Sequence, residues 1–184
     1  MKSLVTVSRD SDSLLTLDEA KKWLRVEGTE EDALIAAIMK GAVSYAENYL
    51  NKTVGNNTYH MAMDSFESAI QLLRPPVNEV TKIEYVDTEG VLQEFDLLLT
   101  KLDKDSGKIY LNAGESWPDI ANEPFAVHIY YTCTGMFAAS EADDVLDAIK
   151  LTLTYRYDYR DDPNQRWRKA SDNILTPLRI IPFE

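Results

Sequence analysis

Cysteine is nearly missing from this chain: among 184 residues only Cys133 carries a thiol. No internal disulfide can form, no cysteine cluster can hold a metal, and an oxidising compartment is not implied. Histidine is almost as scarce, with His60 and His128 alone, and glycine occurs seven times. These few residues spell no phosphate-cradling glycine loop, no G-x-S-x-G elbow and no H-E-x-x-H helix. Long apolar runs are lacking too. No stretch approaches the roughly 18 apolar residues needed to span a bilayer, and residues 1–10 lack the core of a signal peptide. No membrane insertion is expected, and the sequon matches Asn51-Lys52-Thr53 and Asn56-Asn57-Thr58 read as chance. Positive charge is in deficit, with 19 basic against 31 acidic residues and a formal charge of -12. A surface built to grip phosphates needs the opposite balance, so tight nucleic-acid binding is not expected. Arg156, Arg160, Arg166, Arg168 and Lys169 form the one basic run, read as solvated charge or a partner contact.

What is present suits a folded protein: 45% of residues are hydrophobic and 27% charged, and the length fits one domain, or one with a sizeable insertion. Thr16 and Glu19 form a capping box that opens a short helix over 17–25, with acids at its start and Lys21, Lys22 and Arg25 toward its end. Gly28 breaks the pattern. Thr29, with Asp32 three residues on, restarts it, and Glu30 and Glu31 fill the first turn. Leu34, Ile38, Tyr45 and Tyr49, flanked by Ile35, Ala42, Ala46 and Leu50, predict a core-facing helix running to about Leu50.

From Thr58 to Thr132 the helical period vanishes, and short apolar runs alternate with turn residues. Strands are expected at 59–63, 69–73, 80–86, 91–95, 108–111 and 126–131. Asp87-Thr88-Glu89-Gly90 reads as a hairpin turn, and Pro75-Pro76 as a break before Val80. Helix returns over 141–159, with Ser140 as N-cap, Asp143 completing the box, and Leu146, Ile149, Leu153 and Tyr157 along one face. Pro163 stops it and residues 165–170 add a short turn.

The fold class expected is α+β: a small antiparallel helical bundle, built from two N-terminal helices and one C-terminal helix. It carries an inserted, mostly antiparallel β segment and an extended C-terminal tail. The boundaries are an arm at 1–14, a helical core at 15–53 and 136–170, the β segment at 54–135 with its ends close together, and the tail at 171–184.

Catalytic signals are sparse. His60 and His128 lie in separate strands and read as ordinary sheet residues, and Cys133 as a small buried hydrophobe at a strand end. The carboxylate pairs Asp143 with Asp144 and Asp161 with Asp162 read as helix-start and loop chemistry. No catalytic, metal-binding or cofactor-binding residue is assigned. Aromatic and arginine residues do stand out, in Trp117, in Tyr130 and Tyr131, in the run Tyr155-Arg156-Tyr157-Asp158-Tyr159-Arg160, and in Trp167. These types dominate interface hot spots. Arg156, Arg160 and Trp167, beyond the main helix stripe, are read as contacts to a neighbouring subunit.

The opening Leu15-Thr16-Leu17-Asp18-Glu19-Ala20-Lys21-Lys22-Trp23-Leu24-Arg25-Val26, then Glu30-Glu31-Asp32-Ala33-Leu34-Ile35 and Ala46-Glu47-Asn48-Tyr49, resembles the head-to-tail connector (adaptor) proteins of tailed bacteriophages and prophages. Leu73-Arg74-Pro75-Pro76-Val77, the aspartate-to-glycine hairpin, Ser116-Trp117-Pro118, a strand ending near Gly135, and Tyr155-Arg156-Tyr157-Asp158-Tyr159-Arg160-Asp161 follow in the order of the subgroup with a β insertion between helices. The likeness runs from Leu15 to Asp162. Thr132-Cys133-Thr134-Gly135-Met136 departs from it, because the family more often has small residues before the glycine and an aromatic after it.

The resemblance implies a virion structural protein and not an enzyme: a homo-oligomeric ring, commonly a dodecamer, that docks beneath the portal protein after DNA packaging. Such a ring seals the channel and offers a platform to the next adaptor or tail protein. No cofactor is implied, and DNA passes through without specific binding. The subunit or portal interface is expected at Arg156, Tyr159, Arg160, Trp167, Leu178, Ile180, Ile181 and Phe183. Channel-facing acids are expected at Glu141, Asp143 and Asp144, or among Glu30, Glu31 and Asp32. The rival readings are a small α+β ligand- or protein-binding regulatory domain, another tail-completion protein and, last, an enzyme that clusters His60, His128 or Cys133 with a carboxylate.

Overall fold

A computed structural model of the chain describes residues 1–10, 14–135, 139–159 and 166–180. Two units emerge, one built from Met1–Arg9 and Asn56–Thr134, the other from Asp10–Gly55 and Gly135–Glu184.

The second unit is helical. Its first helix, α1 (Leu17–Leu24), begins with the expected capping box: the Glu19 N–H donates to the Thr16 hydroxyl while the Thr16 N–H donates to the Glu19 carboxylate at 2.9 Å. Arg25 ends it at φ 60, donating its N–H to the Lys21 and Lys22 carbonyls. Thr16→Ala should lower the unfolding free energy by about 1 kcal/mol, measured by urea denaturation. The Thr16 hydrogen bonds also hold the Glu19 carboxyl below its ordinary pKa. The capping contribution is therefore complete above the unfolded carboxylate pKa and fades as pH falls through the depressed folded value.

Helix α2 (Asp32–Leu50) starts later than its sequence signals suggest. Glu31 is its N-cap, without a side-chain bond. The Asp32 carboxylate pairs instead with the Lys21 ammonium at 2.6 Å, so it is not available to complete a box with Thr29. Its buried face is Ile35, Met39, Ala42, Val43, Ala46 and Leu50, rotated from the expected stripe. Leu34, Ile38, Tyr45 and Tyr49 sit half-buried on its margins. Small residues at 42 and 46 let neighbouring backbone approach, and the tyrosines keep polar tips within reach of partners.

Helix α3 (Ala139–Asp158) contributes Val145, Ala148, Ile149 and Leu153 to the same core. Ser140, expected as N-cap, lies inside the helix. Leu146 and Tyr157 flank the core rather than fill it.

The largest departure is at the C-terminal side. Residues from Ser171, expected as an extended tail, continue helix α4 (Arg166–Leu175) and a 3-10 turn (Thr176–Leu178). Ser171 and Leu175 are fully buried, and Ile174 and Leu178 pack against the helical core. Their spacing of three and four is amphipathic, but the weak helix formers Ser171, Asp172 and Asn173 and the nearby Pro177 hide it. Only Arg179 and Ile180 are extended in the described part. The Ile180 N–H donates to the Leu50 carbonyl at 2.9 Å, and the Asn51 amide donates back to the Ile180 carbonyl at 3.0 Å.

The other unit is β. A five-stranded sheet runs in the order β1 (Lys2–Asp10), β2 (Asn56–Met63), β8 (Val127–Cys133), β4 (Val77–Val86), β5 (Leu92–Glu94). A three-stranded sheet runs β3 (Ala69–Gln71), β7 (Lys108–Leu111), β6 (Thr100–Asp103). Strand β2 pairs with β8, β4 with β8 and β5, and β7 with β3 and β6, each antiparallel. Tyr59, Met61, Ile83, Val127, Ile129 and Tyr131 from the larger sheet and Ile70 and Ile109 from the smaller share one core. Burying each such side chain contributes about 1.5–3 kcal/mol. The hairpin turn forms as expected, with Gly90 at φ 81 and the Asp87 carboxylate accepting the Glu89 and Val91 N–H groups at 2.9 Å.

Two strands were not expected. The N-terminal residues form β1 rather than an arm, and Thr100–Asp103 forms β6. β1 carries β-branched Val5, Thr6 and Val7 but buries little, and β6 offers one inward apolar residue, Leu102, so neither stands out by hydrophobic alternation.

Candidate subunit interface

The helical unit displays a ladder of tyrosine and arginine. Tyr45 and Tyr49, one turn apart on α2, lie with ring centroids 6.2 Å apart. The Tyr45 hydroxyl donates to the Asp172 carboxylate of α4, and the Arg168 guanidinium sits 5.7 Å from the Tyr45 ring centre. One rung on, the Tyr49 hydroxyl bonds the Thr176 hydroxyl at 2.8 Å, and the Arg179 guanidinium lies 5.3 Å from the Tyr49 ring. Burial, and then the hydrogen bond to Asp172, push the Tyr45 phenol above its ordinary pKa. Each arginine over a ring gains a cation–π contact of about 0.5–1 kcal/mol at an exposed site.

Arg156 of α3 belongs to the same region. Its guanidinium lies over Gly41 of α2, where a Cβ would come within 2.6 Å of it and turn that flexible end aside. Burial, with the charge of Arg168, lowers its pKa. Tyr155 and Tyr159 form a tilted ring pair with centroids 5.3 Å apart, and Tyr159 is 61% exposed.

Of the residues expected at an interface, Arg156 lies on α3 and Tyr159 just past its end, with its N–H bonded to the Tyr155 carbonyl at 2.8 Å. Leu178 packs on the core and Ile180 is tied to the end of α2, so both also brace the fold. Arg160, Ile181 and Phe183 lie outside the described residues, as does the side chain of Trp167. The sequence reading missed Tyr45, Asp172, Thr176 and Arg179 as partners, because only the docking of α4 brings them to α2.

The acids divide. Asp143 and Asp144 are exposed and Glu141 is half-buried near the start of α3, where the helix dipole favours negative charge. In the alternative set, Glu31 accepts the Tyr157 hydroxyl and Asp32 pairs with Lys21. Both are spent on joining helices.

In the β unit the two histidines meet, although neither has a partner nearby in sequence. Antiparallel register sets His60 opposite Tyr130 and Ala62 opposite His128, which makes the histidines diagonal neighbours. His60 Nε2 lies 3.1 Å from His128 Nδ1, and His60 stacks on Tyr130 at 4.5 Å. Glu84, opposite His128, binds the Lys82 ammonium at 2.5 Å. Cys133 is buried beside Tyr131 in the core. Among the described residues no group of three or more His, Cys, Asp or Glu gathers to hold a metal ion, and no helix is long and apolar enough to cross a membrane.

Burial, and then His128, hold the His60 pKa below the ordinary imidazole value, with Glu84 opposing. The unfolded chain therefore takes up a proton that the folded chain resists. Stability is expected to fall as pH drops below about 6.5 toward the depressed folded value. His60→Gln should flatten that dependence, as read from urea midpoints between neutral and mildly acidic pH.

A groove of about 520 Å³ in the β unit is lined by Phe66, Trp117, Pro118 and Ile120. Trp117 and Phe66 stack at 4.4 Å, and the Trp117 N–H is already bonded to the Glu67 carbonyl. Ser65, Glu67, Ser68, Thr88 and Asp119 complete its lining.

The head completion protein family matches residues 13–166. No curated protein matches the chain. Among solved structures, a chain in the virion of a native gene transfer agent particle aligns with a TM-score of 0.78 and 20% identity, covering 98% of this chain and 97% of that one. A chain in the neck of the native particle, computed with C12 symmetry, aligns at 0.78 and 20%, covering 99% and 97%. One in the neck of the empty particle, computed with C6 symmetry, aligns at 0.75 and 18%, covering 99% and 97%. At these identities the structures establish a shared α+β fold, while the family match spans most of the sequence, from before the capping box of α1 to the start of α4. The chain belongs to the head completion protein family.

Proposed function

We propose that this protein is a structural component of the phage head-to-tail junction, where copies of it form an oligomeric adaptor ring between the portal vertex and the tail and seal the DNA channel after packaging. The observation that carries this reading is the family match over residues 13–166. The likeness to chains from particle necks, one computed with C12 symmetry, supports it. A closed ring needs two different faces on each subunit that fit one another. The Tyr and Arg ladder with Arg156 and Tyr159 supplies one candidate, joined by Arg160, Trp167, Leu178, Ile180, Ile181 and Phe183 toward a neighbour or the portal protein. Glu141, Asp143 and Asp144 would face the channel, where the overall charge of -12 keeps DNA from being held as it slides. The next adaptor or tail protein would dock on the far side.

Complementation tests the proposal. Heads made without this chain should fill with DNA and stay tailless. Wild-type protein should restore tails, and an Arg156→Ala/Tyr159→Ala variant should restore about tenfold fewer, the effect of a contact worth about 1.4 kcal/mol. Tailed, infectious particles formed in its absence would overturn it.

A further inference from the structure

The five-stranded sheet has two free edges, β1 and β5, with no further strand beside either among the described residues. Strand β1 is nine residues long, and from Ser3 to Ser8 it has none of the devices that usually blunt an edge: no proline and no charge. Leu4 packs into the core, whereas Val5 and Val7 are 54% and 59% exposed. At the opposite edge, Val91 and Leu92 are 50% and 54% exposed.

The backbone of β5 is aimed outward as well. The Asp87 N–H donates to the Val91 carbonyl, and the Phe95 N–H to the Ile83 carbonyl. Residues 91, 93 and 95 therefore spend their peptide groups on β4, and those of Leu92 and Glu94 point away from it. Phe95 is in the core, so by alternation Leu92 and Glu94 lie on the same open face as Val5 and Val7. Charge agrees. Strand β1 carries Lys2 and Arg9 against one acid, Asp10 at its end, whereas 87–96 carry Asp87, Glu89, Glu94 and Asp96 and no base. Lys2 and Glu94 already have partners, in Glu67 at 2.9 Å and Lys82 at 3.9 Å, so the complementarity belongs to the segments and not to one ion pair.

We propose that β1 of one copy pairs with the β5 edge of the next, so that the sheet continues from subunit to subunit. The two edges are different, unpaired and on opposite sides of one sheet, as a head-to-tail contact in a cyclic assembly requires. A pairing of β1 with β1 would leave the acidic, apolar β5 edge uncovered. The inference rests on the ring reading above.

Disulfide trapping in assembled particles tests it. Val5 or Val7 is replaced by Cys together with Leu92 or Glu94, four double variants in all, and the particles are mildly oxidised and run on a non-reducing gel. The buried Cys133 is common to every sample. A ladder of multiples of the subunit, absent from each single variant, is expected in at least one double variant. Dimers from a single β1 variant would instead mean two-fold pairing, and adducts of other mass would mean a different virion protein on the edge. Either result overturns the proposal, as does the absence of any ladder. A second arm uses Val5→Lys/Val7→Lys, two exposed substitutions expected to leave the monomer's circular dichroism unchanged and to abolish the ring in electron micrographs. A ring that persists overturns the proposal. Micrographs of wild-type particles separate the two levels: a ring without a ladder rejects the strand pairing alone, and particles with no ring formed by this protein reject the function proposed above.

Discussion

Gly135→Ala is expected to cost more than about 3 kcal/mol of stability, the upper range for forcing extra volume into packed structure. Its Cβ would fall 1.7 Å from the Val54 carbonyl oxygen and 2.3 Å from the carbonyl carbon. These are backbone atoms, so no rotamer can move them aside. The Gly135 N–H donates to the Gly55 carbonyl at 3.0 Å, which shows how closely the chain's return to the helical unit passes the place where it leaves. A methyl group there must part the two segments and break that bond. Urea denaturation, or the soluble yield if the variant does not fold, measures the loss. A variant as stable as wild type would mean that the segments are not packed as described.

The second large effect is expected at the centre of the β core. Tyr131 is fully buried, its ring centroid is 5.6 Å from that of Tyr59, and its hydroxyl donates to the Leu73 carbonyl at 2.8 Å. Tyr131→Ala removes a large aromatic from a close-packed interior and should cost about 3–5 kcal/mol. Tyr131→Phe keeps the ring and leaves only the Leu73 carbonyl without its donor, a loss of about 1–2 kcal/mol. The two variants together, compared by chemical denaturation, separate packing from the hydrogen bond. Equal losses would mean that the hydroxyl, not the ring, dominates.

Legibility differed by element. The capping box at Thr16 was readable because its two partners are three residues apart and need nothing else. The hairpin at Asp87 to Gly90 was readable for the same reason. Helix α4 was not, because Ser171, Asp172 and Asn173 are poor helix formers, and only burial of Ser171 and Leu175 makes the helix favourable. The buried bond between the Thr152 and Ser171 hydroxyls, at 2.9 Å, is part of that packing. The candidate interface followed the same rule. Arg156 and Tyr159 were singled out by residue type, but the ladder of Tyr45, Asp172, Tyr49 and Arg179 joins positions as much as 130 residues apart along the chain.

Residue order alone therefore determined what depends on near neighbours: α1 and its cap, the change from helical to strand periodicity near residue 58 and back, and the exclusion of glycine-loop or zinc-helix chemistry. It also carried, through the order of its motifs, the likeness to connector proteins that the family match bears out. Tertiary structure decided which face of α2 is buried, that residues 171–175 are helix, that residues 2–10 form one edge of a sheet, and that His60 meets His128. Each of these depends on groups far apart in sequence, whose gain on meeting exceeds a weak local preference only after the rest of the fold has brought them together.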